Sequence, residues 1–329
     1  AAGPMPRAVA AYSKDAAIRE RSSSGGIFTL LAEEILREGG VVFGAAFDED
    51  FRVRHVAAET REALAALRGS KYTQSGIGDA YQRARAFLEA GRTVLFTGTP
   101  CQIAGLRAYL GRDYPQLYTQ DLICHGVPSP KVWERYVSER ETSAASEARE
   151  IFFRHKKRGW KQFSLRVEFE NGTAYTQNLS KDLFLRGFLS NLYLRPSCCD
   201  CAFKGARREA DLTLADFWGI QRMLPELDDD RGTSLVLIHT EKGAQLMQRL
   251  QQQIVSRPVD AGAALRYNTA AVQSVAANQH RAAFFARLDE QKLDTVIAQC
   301  CRVSVKEKAK RIARGVLRRG ARIFRRCTR

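Results

Sequence analysis

Apolar positions in the first 130 residues change period several times. Ile27, Leu30, Leu31 and Ile35 recur at helical spacing, and Gly39-Gly40 ends the run. Val41 to Phe47 then predicts a strand, and Asp48-Glu49-Asp50 predicts a turn into a second strand from Phe51 to Ala57. Thr60 is placed to cap a short helix ending near Gly69. A polar stretch, 71–78, precedes a further predicted helix over 79–90. Thr93-Val94-Leu95-Phe96 is short and almost wholly apolar, as in a strand buried on both faces. Thr97-Gly98-Thr99-Pro100 predicts a tight turn, after which Cys101 opens a helix with Ile103, Leu106 and Leu110 on one face. Leu117 to Cys124 predicts the next strand, His125-Gly126-Val127-Pro128 the next turn, and 130–140 the next helix. This order implies parallel strands with right-handed crossovers.

Past a polar linker, 141–149, the pattern turns antiparallel. Strands are expected at 151–155 and 163–169, and Asn171-Gly172 is a strong hairpin signal into 173–178. An aromatic-rich helix is expected over 181–193, strands at 211–215 and 234–239, a helix over 241–253, and helical pattern from about 265. The fold class is therefore α/β, of the mixed α+β kind. It is a small parallel-sheet α/β core with an antiparallel β insertion and a helical C-terminal region.

Composition changes this picture little. The chain has 329 residues, 45% hydrophobic and 27% charged, which fits a folded chain with a real core and excludes a disordered one. No apolar run approaches the ~18–20 residues that cross a bilayer. The chain opens on Ala1 rather than Met, which suggests a missing upstream piece.

Charge changes it more. The net charge is +16, but residues 302–329 hold twelve basic side chains against one acid, Glu307, leaving +5 on the rest. A nucleic-acid reading of the whole chain thereby loses most of its support. In that tail Val305, Ile312, Val316 and Ile323 fall on one helical face with Arg and Lys around it. Such a helix suits an anionic membrane surface; an acidic protein partner or a solvated tail are the alternatives. With no export signal, the expected location is the cytoplasm, with peripheral attachment at the inner membrane face.

Eight cysteines in short groups make a poor disulfide framework and point to metal or redox chemistry. Cys101 and Cys124 each follow the carboxyl end of a predicted parallel strand, where turns share one rim and ligands bind. Cys198-x-x-Cys201 adds two sulfurs on one loop. Four thiolates suit an iron–sulfur cluster or structural zinc, and unconnected buried thiols remain the bland alternative. Cys199 is a spare; Cys300, Cys301 and Cys327 read as ordinary thiols.

Four further segments are candidates for cofactor binding. Ser24-Gly25-Gly26 at a helix start can cradle a phosphate, or Ser24 is simply an N-cap. Lys71 can pair with a phosphate, and Gln74 and Ser75 can hydrogen-bond a ring or ribose. Thr97-Gly98-Thr99 and His125-Gly126 are small-residue turns that let a planar cofactor approach. His125 beside a candidate ligand can tune a flavin or a cluster, although a lone His is more often structural.

Several ordered runs carry a resemblance: Ser22–Phe28 (SSSGGIF), Gly69–Ser75 (GSKYTQS), Phe96–Leu106 (FTGTPCQIAGL) and Asp121–Pro130 (DLICHGVPSP). They continue with Leu194–Lys204 (LRPSCCDCAFK), Asp211–Ile220 (DLTLADFWGI) and Gly232-Thr233-Ser234. Together they resemble the beta subunit family of coenzyme F420 hydrogenases and dehydrogenases, over about residues 8–255. The resemblance implies an oxidoreductase with FAD and one 4Fe–4S cluster. Electrons would pass between a diffusible hydride carrier, deazaflavin-like or nicotinamide, and an iron–sulfur redox protein or ferredoxin-like domain.

Carried over, Cys101, Cys124, Cys198 and Cys201 match the cluster cysteines, and the segments around Ser24–Gly26, Lys71–Ser75, Thr97–Thr99 and His125–Gly126 match the FAD pocket. The resemblance further implies a beta-subunit-like N-terminal domain over 8–80 and a C-terminal one over 81–255. A helical extension, 256–301, and the basic tail, 302–329, follow. Many relatives carry a ferredoxin-like segment with eight cysteines ahead of the Ser-Ser-Gly-Gly motif; this chain shows none, which limits it to one four-cysteine cluster. The rival reading is a cofactor-free or zinc-bound cytoplasmic scaffold tethered by its tail.

Overall fold

The computed structural model describes residues 5–301. The expected amphipathic tail, 302–329, with its membrane contact and Cys327, lies outside the described residues. The strands are β1 (Arg7–Ser13), β2 (Val41–Phe47), β3 (Val53–Ala58), β4 (Val94–Thr97), β5 (Leu117–Leu122) and β6 (Ala148–His155). They continue with β7 (Ser164–Phe169), β8 (Ala174–Asn178), β9 (Leu212–Asp216), β10 (Ser234–Ile238) and β11 (Ile254–Val259). Eight of them form one mixed sheet in the order β11-β1-β10-β9-β5-β4-β2-β3; β6-β7-β8 form a second sheet.

The predicted parallel core is present. β2, β4, β5 and β9 are parallel neighbours, and the rest of the large sheet pairs antiparallel. Val94, Leu95 and Phe96 are fully buried because helices cover both faces. Leu95 and Val42 meet the helices Ile27–Arg37, Arg61–Leu67 and Glu241–Arg249 on one side. Phe96, Val94 and Phe43 meet the helices Ala80–Glu89 and Pro100–Leu110 on the other.

The antiparallel insertion has its own core. Leu165, Val167 and Phe169 of β7 pack with Phe153 of β6 and with Trp133 and Tyr136 of the helix Pro130–Ala144. Phe184 of the helix Leu183–Leu189 closes it, with its ring 5.1 Å from Trp133. The helices Arg281–Leu288 and Leu293–Cys300 contribute Phe284, Leu293 and Ile297 to this same core, so the C-terminal helices are part of the insertion's packing.

Sequence and structure differ at four places. β1 is an interior strand, between β11 and β10, yet its alanines, Ala8, Ala10 and Ala11, carry little β signal. The helix expected to end at 253 ends at Arg249, and the chain returns as β11, an edge strand that tolerates Pro258. The 141–149 linker shrinks, because the helix from Pro130 runs to Ala144 and stops at Ala145 in the left-handed conformation, φ 50°. The aromatic helix expected over 181–193 spans only Leu183–Leu189, because Asn191 turns left-handed, φ 60°, and the chain then pairs with the loop after β5.

Candidate functional site

The carboxyl ends of the parallel strands form one rim, as the pattern predicted. Thr97 ends β4 and Gly98-Thr99 follow it, Cys124 to Pro128 follow β5, and Asp216 ends β9. Thr99 and Gln102 form a reciprocal capping box that fixes the first turn of the helix Pro100–Leu110. Cys101 sits in that turn, exposed, with its sulfur 3.1 Å from the Thr99 hydroxyl.

Backbone pairing brings the second pair of cysteines to this rim. The Arg195 amide donates to the Val127 carbonyl at 2.9 Å, and the Ser129 amide to the Tyr193 carbonyl at 3.0 Å. The chain then coils through Pro196–Asp200, which carries Cys198 and Cys199. Gly126 is required for this closure. A Cβ there would lie 2.9 Å from Leu194 Cδ1 and 3.4 Å from Cys198 Cβ. The Cys201 amide is held by Ser274 Oγ at 3.0 Å.

Burial pushes the Cys124 thiol up to about 12; nearby Lys204 opposes this, while Cys101, Cys198 and Cys201 each add to it. Burial likewise raises the Cys198 thiol, with Cys201, Cys101 and Cys199 adding. Cys101, Cys198 and Cys201 thus lie near enough to Cys124 to act on its thiol electrostatically. Among the described residues no three His, Cys, Asp or Glu side chains are grouped as ligands to a single ion.

The loop 69–76 is the hub of the other candidate segments. Ser70 donates from both amide and hydroxyl to Ser23 Oγ, each at 2.8 Å, which ties the loop to the Ser-Ser-Ser-Gly-Gly turn. The Gln74 amide donates to the Pro128 carbonyl at 3.3 Å, which ties it to the turn after Cys124. His55 of β3 makes the third tie, with Nδ1 2.7 Å from Ser75 Oγ and Nε2 2.9 Å from the Thr97 carbonyl. A carbonyl only accepts, so Nε2 carries the proton and Nδ1 accepts from the Ser75 hydroxyl. Burial lowers the His55 pKa, which keeps the ring neutral. Sequence reasoning passed over His55, since its partners are distant in the chain and it carries no local signal.

Lys71 turns inward. Its Nζ donates to the carbonyls of Arg68 at 2.9 Å and Gly69 at 3.4 Å, and lies 5.8 Å from the Phe47 ring centre. Among the described residues it has no carboxylate partner, and burial pulls its pKa down to about 7. His125 Nε2 lies 2.7 Å from Asn191 Oδ1, and burial lowers its pKa.

Ser24-Gly25-Gly26 serves the protein's own backbone. Ser24 Oγ donates to the Thr233 carbonyl at 3.0 Å, so it is not the N-cap; Gly26, at φ 87°, holds that position. A Cβ on Gly25 would lie 2.5 Å from the Ala11 carbonyl oxygen and 2.9 Å from the Ser234 amide. Its lack of a side chain is thus explained by packing on β1 and β10.

Sequence reasoning also missed Arg154 and Asp216. A register shift between Phe152 and His155 buries Phe153 and Arg154 in succession. Arg154 then reaches the Ser23 carbonyl at 3.2 Å, the Tyr72 hydroxyl at 3.4 Å and the Asp216 carboxylate.

Comparison with known proteins decides the family. Residues 8–81 match the N-terminal model, and residues 91–261 the C-terminal model, of the coenzyme F420 hydrogenase/dehydrogenase beta subunit. The chain belongs to the coenzyme F420 hydrogenase/dehydrogenase beta-subunit family. It is an oxidoreductase. No curated protein matches this family member. Among solved structures it is similar to a chain of the F420-reducing NiFe hydrogenase complex from Methanosarcina barkeri. The TM-score is 0.54 at 23% identity, over 81% of this chain and 91% of that one, which shows a shared fold. In this family member His55 and Lys71 fall within the N-terminal match, and all four rim cysteines, Arg154 and Asp216 within the C-terminal one.

Proposed function

We propose that this beta-subunit family member moves electrons between a diffusible hydride carrier and an iron–sulfur redox partner, using FAD and one 4Fe–4S cluster. The observation that carries the reading is that the turns bearing Cys101 and Cys124 share one rim, to which backbone pairing ties both the segment leading into Cys198–Cys201 and the 69–76 loop. The residues fit both groups. Four thiols from two strand-end turns and one Cys-x-x-Cys are a complete donor set for a cluster. Lys71, inward and without a carboxylate, fits an anionic group such as a pyrophosphate. Bound flavin supplies hydride exchange on one side and single-electron exchange on the other.

The chain's own residues bind and orient. His55 fixes Ser75 against Thr97 in one tautomer, so the two loops that would flank a planar ring hold a set spacing. Lys71 would complete its charge against phosphate. Cys124, desolvated by its surroundings, is a poor thiolate on its own, and Lys204, whose ammonium bonds its carbonyl, moderates that penalty. The carrier is a deazaflavin or a nicotinamide.

The test is anaerobic isolation of the chain with measurement of flavin, iron and acid-labile sulfide and of the visible spectrum. Yellow-brown protein with stoichiometric flavin and about four irons is expected. Colourless protein holding zinc, or no metal after reconstitution, would replace this reading with the scaffold.

A further inference from the structure

We propose that the outer face of the β6-β7-β8 sheet carries a second binding site, for a small multiply charged anion bearing phosphate or carboxylate groups. The alternation along β7 creates the face. Leu165, Val167 and Phe169 point into the core, and Ser164, Arg166 and Glu168 point away from it. Cross-strand register sets His155 and Asn178 opposite Ser164, and Thr176 opposite Arg166. With the chain after β6 and Lys181 they enclose a cleft of about 580 Å³. That volume lies within the roughly 300–1,000 Å³ of small-molecule sites.

The lining is one-sided in charge. Lys157, Arg158, Arg166 and Lys181 are cationic, His155 beside them is held toward its neutral form by burial and by Arg166 and Lys157, and no carboxylate lines the cleft. Arg166 is positioned, donating to Glu168 Oε1 at 2.8 Å and to Thr176 Oγ1 at 3.1 Å. Glu168 is also bound by Arg149 at 3.0 Å, so its charge is already met. Lys157, Arg158 and Lys181 make no ion pair among the described residues. His155 Nδ1 is buried without a hydrogen-bond partner. Long cations around short hydroxyl and amide groups match a polyanion. The lining has no aromatic or aliphatic anchor of the kind that carries protein–protein affinity, which favours a small ligand over a docked protein. The cleft is separate from the cysteine rim: the bulge in β6 sends Arg154 toward Asp216 and leaves His155 in the cleft.

The experiment is titration calorimetry of the full chain with inorganic pyrophosphate and, separately, with citrate, at ~0.15 M salt, where long-range attraction is screened. The charge-reversed pair Lys157→Glu/Lys181→Glu is compared with Arg257→Glu/Arg266→Glu, an exposed pair elsewhere with the same change in net charge. One site per chain is expected, weakened about tenfold or more in the cleft variant and within about twofold in the control. The tighter of the two anions identifies phosphate or carboxylate as the recognised group. Absence of saturable binding by either anion, equal loss in both variants, or unchanged affinity in the cleft variant overturns the proposal. Circular dichroism checks that both variants fold.

Discussion

Arg154 clasps Asp216 through two bonds, one from each terminal guanidinium nitrogen to each carboxylate oxygen, 2.8 Å and 3.0 Å long, with the Arg154 side chain only 4% exposed. The pair joins the last buried turn of β6 to the carboxyl end of β9, and so locks the insertion onto the rim of the main sheet. Trp160 Nε1 adds a bond to the same carboxylate at 2.9 Å, and the guanidinium lies 4.0 Å over the Phe163 ring. Removing one partner strands the other charge away from water. Asp216→Asn should therefore cost roughly 3–5 kcal/mol in urea unfolding. Arg154→Met with Asp216→Asn should cost less than the sum of the singles. Additive losses would show that the pair is not coupled.

His239 and Asp121 form a second buried chain, with opposed responses to pH. Thr213 donates its hydroxyl proton to Asp121, so His239 Nε2–H donates to Thr213 Oγ1 at 2.8 Å. Burial pulls the imidazole down to about 4, Arg208 adding to the fall and Asp211 opposing it. Burial pushes the Asp121 carboxyl up to about 6, against the Thr213 bond and Arg208. As pH falls below ~6.5 the unfolded chain protonates His239 first, and stability drops by up to about 1.4 kcal/mol per unit until pH nears the folded value. Below about 6 the folded Asp121 takes its proton before the unfolded chain does, and stability rises with a similar slope. The two terms offset between pH 6 and 4. Asp121→Asn should make acid loss steeper, and His239→Gln should make it shallower or reverse it. Parallel stability curves for all three proteins from pH 4 to 7 would overturn this account.

The two buried chains also mark how far the sequence can be read. Cys101 and Cys124 were legible because apolar runs followed by turns announce parallel strand ends, and those ends share a rim. Cys198-x-x-Cys201 was legible as a pair, but its route to the rim depends on Arg195 meeting Val127, a pairing with no local signature. His55 was invisible for the same reason. Gly25 was legible as a required glycine, but the atoms its missing side chain avoids, on Ala11 and Ser234, are distant in the chain and gave no local signal. β1 escaped notice because small alanines pack well between two strands without advertising it.

Gly25→Ala follows from that last contact. A methyl group 2.5 Å from a backbone oxygen forces β1 and β10 apart, so the substitution should destabilise by about 1–3 kcal/mol. Thermal unfolding of protein without added flavin is the measurement. A normal melting temperature with lost flavin binding would return Gly25 to the cofactor.

Lys71 should make flavin affinity depend on pH. Its amine, lowered to about 7 by burial, is mostly neutral in the free protein at pH 8. A bound phosphate favours the ammonium, so above about 7 binding must take up a proton and weakens by up to tenfold per pH unit. Below that the affinity is level. Lys71→Met should bind flavin more weakly and with a flat profile from pH 6.5 to 9, about the range where the wild-type amine titrates. Equilibrium dialysis against FAD gives both curves. A wild-type profile as flat as the variant's would remove Lys71 from the pocket.

The cysteine set makes the sharpest distinction. Cys101 and Cys124 sit at two neighbouring strand ends and Cys198 and Cys201 are spaced to face one group, whereas Cys199 lies between that pair. Serine at any of the first four should drop reconstituted iron and acid-labile sulfide from about four per chain toward zero. Cys199→Ser should keep both. Cys124 is the critical case, since serine there is nearly isosteric, so loss of iron reports loss of a ligand rather than loss of shape. Circular dichroism of each apo-protein separates the two. If Cys124→Ser retains the full complement and Cys199→Ser loses it, the cluster is held by a different set and the strand-end turn after β5 has another role.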